Sequence, residues 1–413
     1  MLTRSPDRET ASNEIAILGA FCLFLSAIEY MIPKPLPFFR IGLANLPLML
    51  ACNFFSLPSY LILICIKVFG QALITGTLFS YVFLFSMSGT FLSALCMFFL
   101  SRVFTDKRIS FVGIGTAGAL VSNLSQLCFA YFFIFRENVL YIAPPFLAAG
   151  LVTGIVLGMF CAIFANKSKW YSQMKEHGFT RNNTEKFHGL TQINTDRVHG
   201  FTRINTDRVH GFTRIYTKEI KIYDKFFSAR ALFITGLIIM PAFLFNPSAE
   251  LRICQFLFFL ILACFSGRKI NFLYTILIMA FIVAFNLIIP YGRVLYSIGA
   301  FKITSGALSA GIHRAVTLQA LIMLSKFTIR NDLALPGTFG RLLGKSLQIF
   351  TELTDKKLRL TRNNIIAEMD ALLINLDEEN NTPSEIKKHK TKPIGYVLLA
   401  IIVFLSWLPW GFL

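Results

Sequence analysis

The sequence predicts an all-α fold, a polytopic helical membrane protein with about 11 transmembrane helices. Of its 413 residues, 55% are hydrophobic and only 15% are charged, whereas a soluble domain carries about 25% charged residues. The apolar residues come in blocks of roughly 16 to 23, which is the length that crosses about 30 Å of hydrocarbon at 1.5 Å per residue. The net charge of +18 is concentrated in connecting segments, so it indicates membrane topology rather than a nucleic-acid partner.

The first half of the chain contains six predicted spans, which form one membrane domain over 14–166. Basic residues at 102, 107 and 108 separate the fourth span from the fifth. Because basic loops favour the cytoplasm, we expect this loop, the N-terminus and the chain after the sixth span to be cytoplasmic, in a multi-pass protein of the cell inner membrane. The predicted spans are 14–32, 41–57, 59–80, 82–102, 110–134 and 143–165.

Residues 167–228 are predicted to be a cytoplasmic linker, because they hold four copies of an 11-residue repeat. The copies are HGFTRNNTEKF, HGLTQINTDRV, HGFTRINTDRV and HGFTRIYTKEI, which together cover 177–220. Tracts rich in histidine can bind metal, but each histidine here lacks a second ligand type at close spacing. The eight cysteines are scattered and form no CxxC pair. A recently duplicated, exposed linker is the simpler interpretation, and we expect no metal site.

Residues 229–413 form a second predicted membrane domain with about five spans. Between its last two spans, the stretch 331–392 is polar and carries amphipathic helical patterns whose apolar face is too narrow to span a membrane. We expect these helices to lie on the cytoplasmic membrane surface or to dock a partner. The predicted spans are 229–246, 251–266, 270–290, 306–328 and 394–412.

Polar residues inside the predicted spans form the candidate site. Asn123 and Gln126 are three residues apart, so they share one helix face. Lys67, Gln71 and Thr75 form a continuous polar stripe on the third span. Unpaired polar groups are costly in lipid, so these side chains are expected to face the interior of the bundle. Two interpretations stay open, namely hydrogen bonding between helices and contact with a ligand.

Two charged residues and one small-residue pair also stand out in the first half. Lys67 can snorkel to the inner interface, or it can neutralise an anionic ligand. Glu29, near the outer end of the first span, is a candidate partner for Arg40 across the outer loop. Ala16 and Ala20 are four residues apart, a spacing that favours close contact between membrane helices.

The sequence lacks the signatures of several catalytic sites. No HExxH, GxSxG or aspartate-rich DDxxD motif occurs. Gly344-Lys345-Ser346 ends like a phosphate loop, but Phe339 stands where the first glycine is needed. We therefore expect no catalytic residue and no cofactor in this chain.

Four segments together resemble the Gx transporter family, which also carries the name heptaprenyl diphosphate synthase component I. They are IPKPLPFFRIGLANLPLML (32–50), QALITGTLFS (71–80), SNLSQL (122–127) and FLAAGLVTGIVLG (146–158). The family is similar to the substrate-binding (S) components of energy-coupling factor transporters, six-helix membrane proteins that capture vitamins or similar small molecules. The resemblance covers roughly 14–166 and implies a six-helix substrate-binding domain. It gives the following candidate substrate-binding residues, with Gln71 added from the polar stripe: Arg40, Gly42, Asn45, Gln71, Asn123 and Gln126.

The second half is similar, more loosely, to the transmembrane coupling (T) component of the same transporters. The similar segment is GRVLYSIGAFKITSGALSAGIHRAVTLQALIML (292–324). T components usually carry an Ala-Arg-Gly or Ala-Arg-Ser motif for docking ATPases, and this motif is absent here. Because the chain has no nucleotide motif, ATP hydrolysis is expected to need separate ATP-binding cassette ATPase subunits.

Three functional interpretations follow, and we favour the first. The chain is a transporter component that binds a small molecule and lies in the lipid bilayer. Alternatively, it is a non-catalytic membrane subunit of heptaprenyl diphosphate synthase. In the third interpretation it is a scaffold whose polar stripes only join helices.

Overall fold

The computed structural model of the protein is mostly helical, as the sequence predicts. The repeats at 177–220 lie outside the residues that it describes. The described residues are 6–31, 41–104, 109–176, 226–244, 246, 249–267, 270–298, 301–330, 333, 335–355, 365–378 and 391–408.

The first half consists of helices α1 to α6. A 3₁₀ turn at Leu43–Asn45 leads directly into α2, and a π-helical turn at Tyr131–Phe135 continues α5. The helices are α1 (Pro6–Met31), α2 (Leu46–Ala51), α3 (Leu57–Thr75), α4 (Tyr81–Val103), α5 (Phe111–Ala130) and α6 (Val139–Lys167). A further helical stretch covers 169–176.

The second half consists of helices α7 to α13 and one antiparallel hairpin. The hairpin pairs β1 (Val294–Ile298) with β2 (Phe301–Thr304). The helices are α7 (Ala229–Leu244), α8 (Ala249–Phe265), α9 (Phe272–Asn286), α10 (Ser305–Thr328), α11 (Gly337–Asp355), α12 (Ile365–Glu378) and α13 (Pro393–Trp407).

Within the described part of the chain, five stretches are long and apolar enough to cross a membrane, which supports a polytopic membrane protein. One of them is a continuous stretch of 57 residues that contains both α5 and α6. The shorter helices α7, α9 and α13 are also apolar. The total of about 11 crossings stays a prediction. The five stretches are Ser12–Tyr30, Leu57–Thr75, Tyr81–Val103, Phe111–Lys167 and Ser305–Thr328.

The predicted second span, 41–57, is not a continuous helix, and the prediction was wrong there. Its α-helical part is the six residues of α2, followed by turns over 52–55. All six residues of α2 are buried inside the protein. Irregular backbone is tolerated at membrane depth when protein surrounds it, because protein groups then satisfy its amides and carbonyls. Hydropathy reports the apolar character of this segment but not whether lipid or protein surrounds it.

Helices α5 and α6 pack backbone to backbone through glycines. A Cβ atom at Gly158 would lie 2.5 Å from Val112 Cα, and one at Gly154 would lie 2.9 Å from Thr116 Cα. Gly115 faces the same contact, since a Cβ there would lie 2.8 Å from the Gly154 carbonyl oxygen. Small residues let membrane helices approach this closely. The glycines therefore fix the spacing of the two helices.

The amphipathic helix α11 packs against α1 and α3. A Cβ at Gly19 would lie 2.7 Å from Ser346 Oγ, and a Cβ at Gly70 would lie 3.3 Å from Leu343 Cδ1. Ser346 and Leu343 are both buried. The apolar face of a helix from the polar stretch 331–392 is thus buried against the first half of the same chain.

A side-chain cap connects α12 to the segment that follows α6. Asp370 accepts hydrogen bonds from the backbone N–H groups of Lys169 and Trp170, each at 3.1 Å, and from Ser168 Oγ. These groups begin the helical stretch 169–176, where N–H groups have no partner inside the helix. Asp370 of the second half therefore caps the N-terminus of the helical stretch 169–176, which follows α6.

One end of the first-half bundle contacts α10 at two separate points. Because α3, α4 and α5 alternate in direction, the α3–α4 loop and the turn after α5 lie at the same end of the bundle. The loop contacts α10 where Phe79 N donates to Ser325 Oγ at 3.3 Å, and the turn contacts it where Arg314 Nη1 donates to the Ile134 carbonyl at 3.0 Å. Positions 314 and 325 are about 16 Å apart along a helix. One end of the bundle therefore lies along the side of α10.

Candidate functional site

A polar cavity, called here the central cavity, lies among the helices of the first half. The empty space between its walls, including the part continuous with solvent, is about 560 Å³. Helices α1 and α3 to α6 and the segment 41–49 line it. Its polar lining residues are Glu29, Asn45, Lys67, Thr90, Ser93, Ser122, Asn123 and Thr153. The other lining residues are Ile41, Gly42, Ala44, Met49, Met97, Gly115, Ala119, Gly154 and Leu157.

Glu29 holds the segment that begins at residue 41. Its carboxylate accepts a hydrogen bond from Ile41 N at 2.9 Å and a longer one from Ala44 N at 3.5 Å. These amides lie where the 3₁₀ turn and α2 begin, so a negative charge also interacts favourably with the helix dipole. Gly42 has a φ of +89°, a conformation that glycine adopts without strain. The buried carboxylate and the glycine together fix this wall of the central cavity.

Lys67 places a positive charge in the part of the wall that α3 forms. Its side chain is 3% exposed, and its ammonium group donates to Asn45 Oδ1 and, at 3.4 Å, to Thr90 Oγ1. These contacts join α3 to the start of α2 and to α4. An ammonium group in a desolvated cavity interacts strongly with any nearby anion. Lys67 therefore lies inside the bundle and does not snorkel.

Asn123 lies between α5 and α6. Its amide Nδ2 donates to the Phe146 carbonyl at 2.9 Å. The same amide occupies the space beside Gly150 that a Cβ atom would otherwise fill. The absence of a Cβ at Gly150 makes room for the amide. With Nδ2 engaged, the Asn123 side chain is fixed in one orientation at the wall of the central cavity.

Ser93 provides an unsatisfied polar group in the same cavity. Its side chain is 1% exposed, and its hydroxyl has no hydrogen-bond partner among the described residues. A buried hydroxyl without a partner is unfavourable by about 1–3 kcal/mol, which a bound polar molecule can offset. This makes Ser93 a candidate ligand contact.

Three of the predicted site residues line the central cavity, and two others are buried outside its lining. Gly42, Asn45 and Asn123 are lining residues. Gln126 donates from Nε2 to Ser122 Oγ at 3.0 Å and packs on α4, behind the lining. Gln71 is buried on α3 and is not a lining residue. The sixth, Arg40, and its suggested pairing with Glu29 lie outside the described residues.

Thr90, Ser93 and Thr153 are lining residues that sequence reasoning missed. Hydroxyl side chains are common in membrane helices because they can bond to their own backbone, as Thr153 does to the Gly150 carbonyl at 3.1 Å. They therefore do not stand out in an apolar span as an amide or a charge does. The motif SMSGTFLS at 86–93, with four hydroxyl residues in eight positions, was the available signal.

The groups that line the central cavity are able to bind a small molecule. Across the described residues, no group of three or more His, Cys, Asp or Glu side chains could hold a metal ion. The lining offers one carboxylate, one ammonium group, hydroxyls and amides at fixed positions. Such groups orient a small molecule through hydrogen bonds and charge.

Two family models match separate parts of the chain. Residues 18–164 match the family described as heptaprenyl diphosphate synthase component I, and residues 229–331 match one described as Domain of unknown function (DUF8519). No curated protein and no solved structure matched the chain. The first match covers the helices that form the central cavity, and it confirms the resemblance to the Gx transporter family over this part of the chain.

Proposed function

We propose that the chain is a membrane transporter component of the energy-coupling factor type. It binds a small molecule in the central cavity for uptake across the cell inner membrane, with its N-terminus and repeat linker in the cytoplasm. The chain itself is not an enzyme. Separate ATP-binding cassette ATPase subunits hydrolyse ATP, and the residues that contact the small molecule include Asn45, Lys67 and Asn123.

The observation that carries this proposal is the polar lining of the central cavity inside an apolar bundle. Lys67, Glu29 and Asn123 are at most 4% exposed, yet all three line the same space. Desolvating charged and amide groups in a membrane domain is costly, and such residues usually mark the path or site of a ligand. A scaffold that only joins helices has no need to gather both charges around one cavity.

The contact between the two halves supports movement of the first-half bundle as the transport step. One end of the bundle lies along the side of α10, and α11 packs against α1 and α3. Among the described residues, hydrogen bonds between the two transmembrane parts run through Phe79, Asn286 and Arg314. A bundle attached in this way can change its inclination as a rigid body, which would expose the central cavity to each side in turn.

Mass spectrometry of the purified full-length chain tests the proposal. We expect a small molecule and a pair of ATPase subunits to co-purify with the wild type. The small molecule should fall about tenfold or more in Asn45→Ala and Asn123→Ala, because each loses hydrogen bonds at the cavity wall. The matched control is Ser125→Ala, which removes a buried polar group from α5 that does not line the cavity. Equal retention of the molecule in all variants that elute as folded protein would contradict the proposal.

A second candidate function is a non-catalytic membrane subunit of heptaprenyl diphosphate synthase. The family match over residues 18–164 favours it through the family's description. Under this alternative the same preparation contains a prenyl synthase catalytic subunit, and no small molecule depends on Asn45 or Asn123. The one experiment therefore separates the two functions.

A further inference from the structure

We infer that the hairpin of β1 and β2 lies in the headgroup region of the lipid bilayer and binds lipid there as an anchor for the start of α10. The inference concerns the second half of the chain and does not depend on the central cavity or its ligand. It is carried by the exposed apolar side chains of the hairpin, by the length of α9 and by the attachment of the hairpin to α10.

The apolar side chains of β1 are unfavourably placed for contact with water. Val294, Leu295 and Tyr296 are consecutive, and together with Tyr291 just before the strand they are 50% to 63% exposed. A two-stranded hairpin by itself is at best marginally stable in water. A run of exposed apolar residues on such an element marks a surface that contacts a membrane or a partner.

The length of α9 places the hairpin at the membrane boundary. No charged residue occurs between Lys269 and Arg293, so this uncharged run is the part of the chain that crosses the hydrocarbon. Helix α9 has 15 residues, which is about 22 Å of helix, whereas the hydrocarbon core is about 30 Å thick. The uncharged segment 287–292 after the helix therefore covers the remaining depth. This brings Arg293, and with it the start of β1, to the boundary between hydrocarbon and headgroups.

The edges of the hairpin limit how deep it lies. Among the described residues the sheet has two strands, so each strand has an edge whose N–H and C=O groups face no third strand. Open sheet edges do not occur in the hydrocarbon core, where water cannot bond to them. In the headgroup region, water and lipid oxygens are available as partners. The apolar side chains thus disfavour water, the backbone disfavours hydrocarbon, and the interface accommodates both.

The residue types of the hairpin fit this depth. Tyrosine is enriched at membrane–water interfaces, where its ring contacts the acyl chains and its hydroxyl reaches water. Tyr291 and Tyr296 provide two such rings. Arg293 and Lys302 are exposed, and long basic side chains can lie along an apolar surface while their charge stays in the polar layer. Lipid therefore fits this surface better than a partner strand, which would need none of these side chains.

The hairpin is attached firmly to α10, so the two elements share one position in the membrane. Tyr291 N donates to Thr304 Oγ1 at 3.1 Å, and Ser305 N donates to the Arg293 carbonyl at 2.8 Å. A Cβ at Gly306 would lie 2.7 Å from the Tyr291 carbonyl oxygen. A hairpin held in the interface therefore fixes the depth of α10, the helix that the first-half bundle contacts.

Quenching of tryptophan fluorescence by brominated lipid tests the inference. The full-length chain is reconstituted in vesicles of phosphatidylcholine that carries bromine near the glycerol end of its acyl chains. The emission of the wild type, which has three tryptophans, is subtracted from that of each variant. We expect the tryptophan added by Tyr296→Trp to lose about half or more of its emission, because an interfacial ring contacts the upper acyl chain. Tyr291→Trp, at the base of the hairpin, should be quenched to a similar degree.

Two further variants calibrate the measurement. Phe404→Trp, at an exposed apolar position of α13, is the control for contact with lipid and should be quenched strongly. Thr351→Trp, at an exposed position of the amphipathic helix α11, is the control for contact with water. Brominated lipid should leave its emission unchanged, and acrylamide in the aqueous phase should quench it.

Three results would overturn the inference. If acrylamide quenches the tryptophan added at position 296 and brominated lipid does not, the hairpin lies in water. If neither reagent quenches it, protein covers the hairpin, either a partner strand or a second copy of the chain. If brominated lipid quenches the tryptophan at 291 and not the one at 296, only the base of the hairpin reaches lipid. Leu295→Trp carries the same expectations and replaces Tyr296→Trp if that variant does not elute as folded protein.

Discussion

The two halves of the molecule use their buried polar side chains differently. In the first half, Lys67 donates to the side chains of Asn45 and Thr90, and Gln126 donates to that of Ser122. In the second half, buried or half-buried polar side chains donate mainly to backbone carbonyls, as Arg252, Gln255, Asn286 and Arg314 do. The first arrangement surrounds a cavity, whereas the second joins helix ends.

The second-half contacts illustrate this structural use. Arg314 and Asn286 both donate to the Ile134 carbonyl, at 3.0 Å and 3.3 Å, where the π-helical turn interrupts the regular bonding of α5. Arg252 donates to the Asn246 carbonyl just beyond the end of α7, and Gln255 donates to the Ser406 carbonyl at 2.9 Å. Carbonyls at helix ends lack a partner inside the helix, and a cation there also interacts favourably with the helix dipole.

This difference in hydrogen-bond partners indicates what a polar residue in a membrane helix does. A side chain that satisfies a backbone carbonyl contributes to folding, and its loss should lower stability. A side chain that bonds other side chains around a cavity can exchange those bonds for a ligand, and its loss should lower binding. Asn123 combines both features, because it lines the cavity and donates to the Phe146 carbonyl.

The largest effect is expected from Gly158→Leu, which disrupts the close contact between α5 and α6. A Cβ there would lie 2.5 Å from Val112 Cα, and backbone cannot move aside as a side chain can. We expect a loss of stability of about 3 kcal/mol or more, seen as aggregation in size-exclusion chromatography and as loss of the co-purified molecule.

The control for that substitution is Gly344→Leu on α11. No atom lies within 4 Å of a Cβ at this position, so the variant should elute and melt as the wild type does. A Gly158→Leu protein that is as stable as this control would show that the contact between α5 and α6 does not set the geometry of the central cavity.

A smaller effect, confined to stability, is expected from Arg314→Met in the second half. The variant loses hydrogen bonds to the Ile134 carbonyl and to Asn286 Oδ1. Charge-assisted bonds of this kind contribute about 1.5–3 kcal/mol, so Tm should fall by several degrees. The amount of small molecule per mole of folded protein should not change. The control is Arg293→Met, at an exposed position of the chain. A selective loss of ligand in Arg314→Met would contradict the proposed difference between the two halves.

The smallest effect is expected from a matched pair of Thr→Val substitutions. Thr90→Val removes a lining hydroxyl that accepts from Lys67, and Thr235→Val removes a buried hydroxyl that donates to the Ala231 carbonyl. We expect ligand retention to fall about fivefold in Thr90→Val, which corresponds to about 1 kcal/mol, with little change in Tm. Thr235→Val should retain the ligand fully, and an equal loss in both variants would remove the distinction between the halves.

The candidate site was partly predictable because its most polar members interrupt apolar runs. Asn45, Asn123 and Lys67 were identified from sequence for that reason, and all three line the central cavity. Gln71 interrupts its span in the same way but is buried outside the lining. The cost of burying an amide requires it to face protein, and it does not specify which space it faces.

The sequence by itself determined the class of fold and the position of most helices. Hydropathy and helix length depend on local composition, so the predicted spans agree with the described helices to within a few residues, apart from 14–32, where α1 begins at Pro6, and 41–57. The tertiary structure decided that 41–57 is a short buried helix with turns, that Thr90 and Ser93 line the same cavity as Lys67, and that α11 packs against α1 and α3. These features depend on which surfaces of distant segments meet, and local hydropathy carries no information about such contacts.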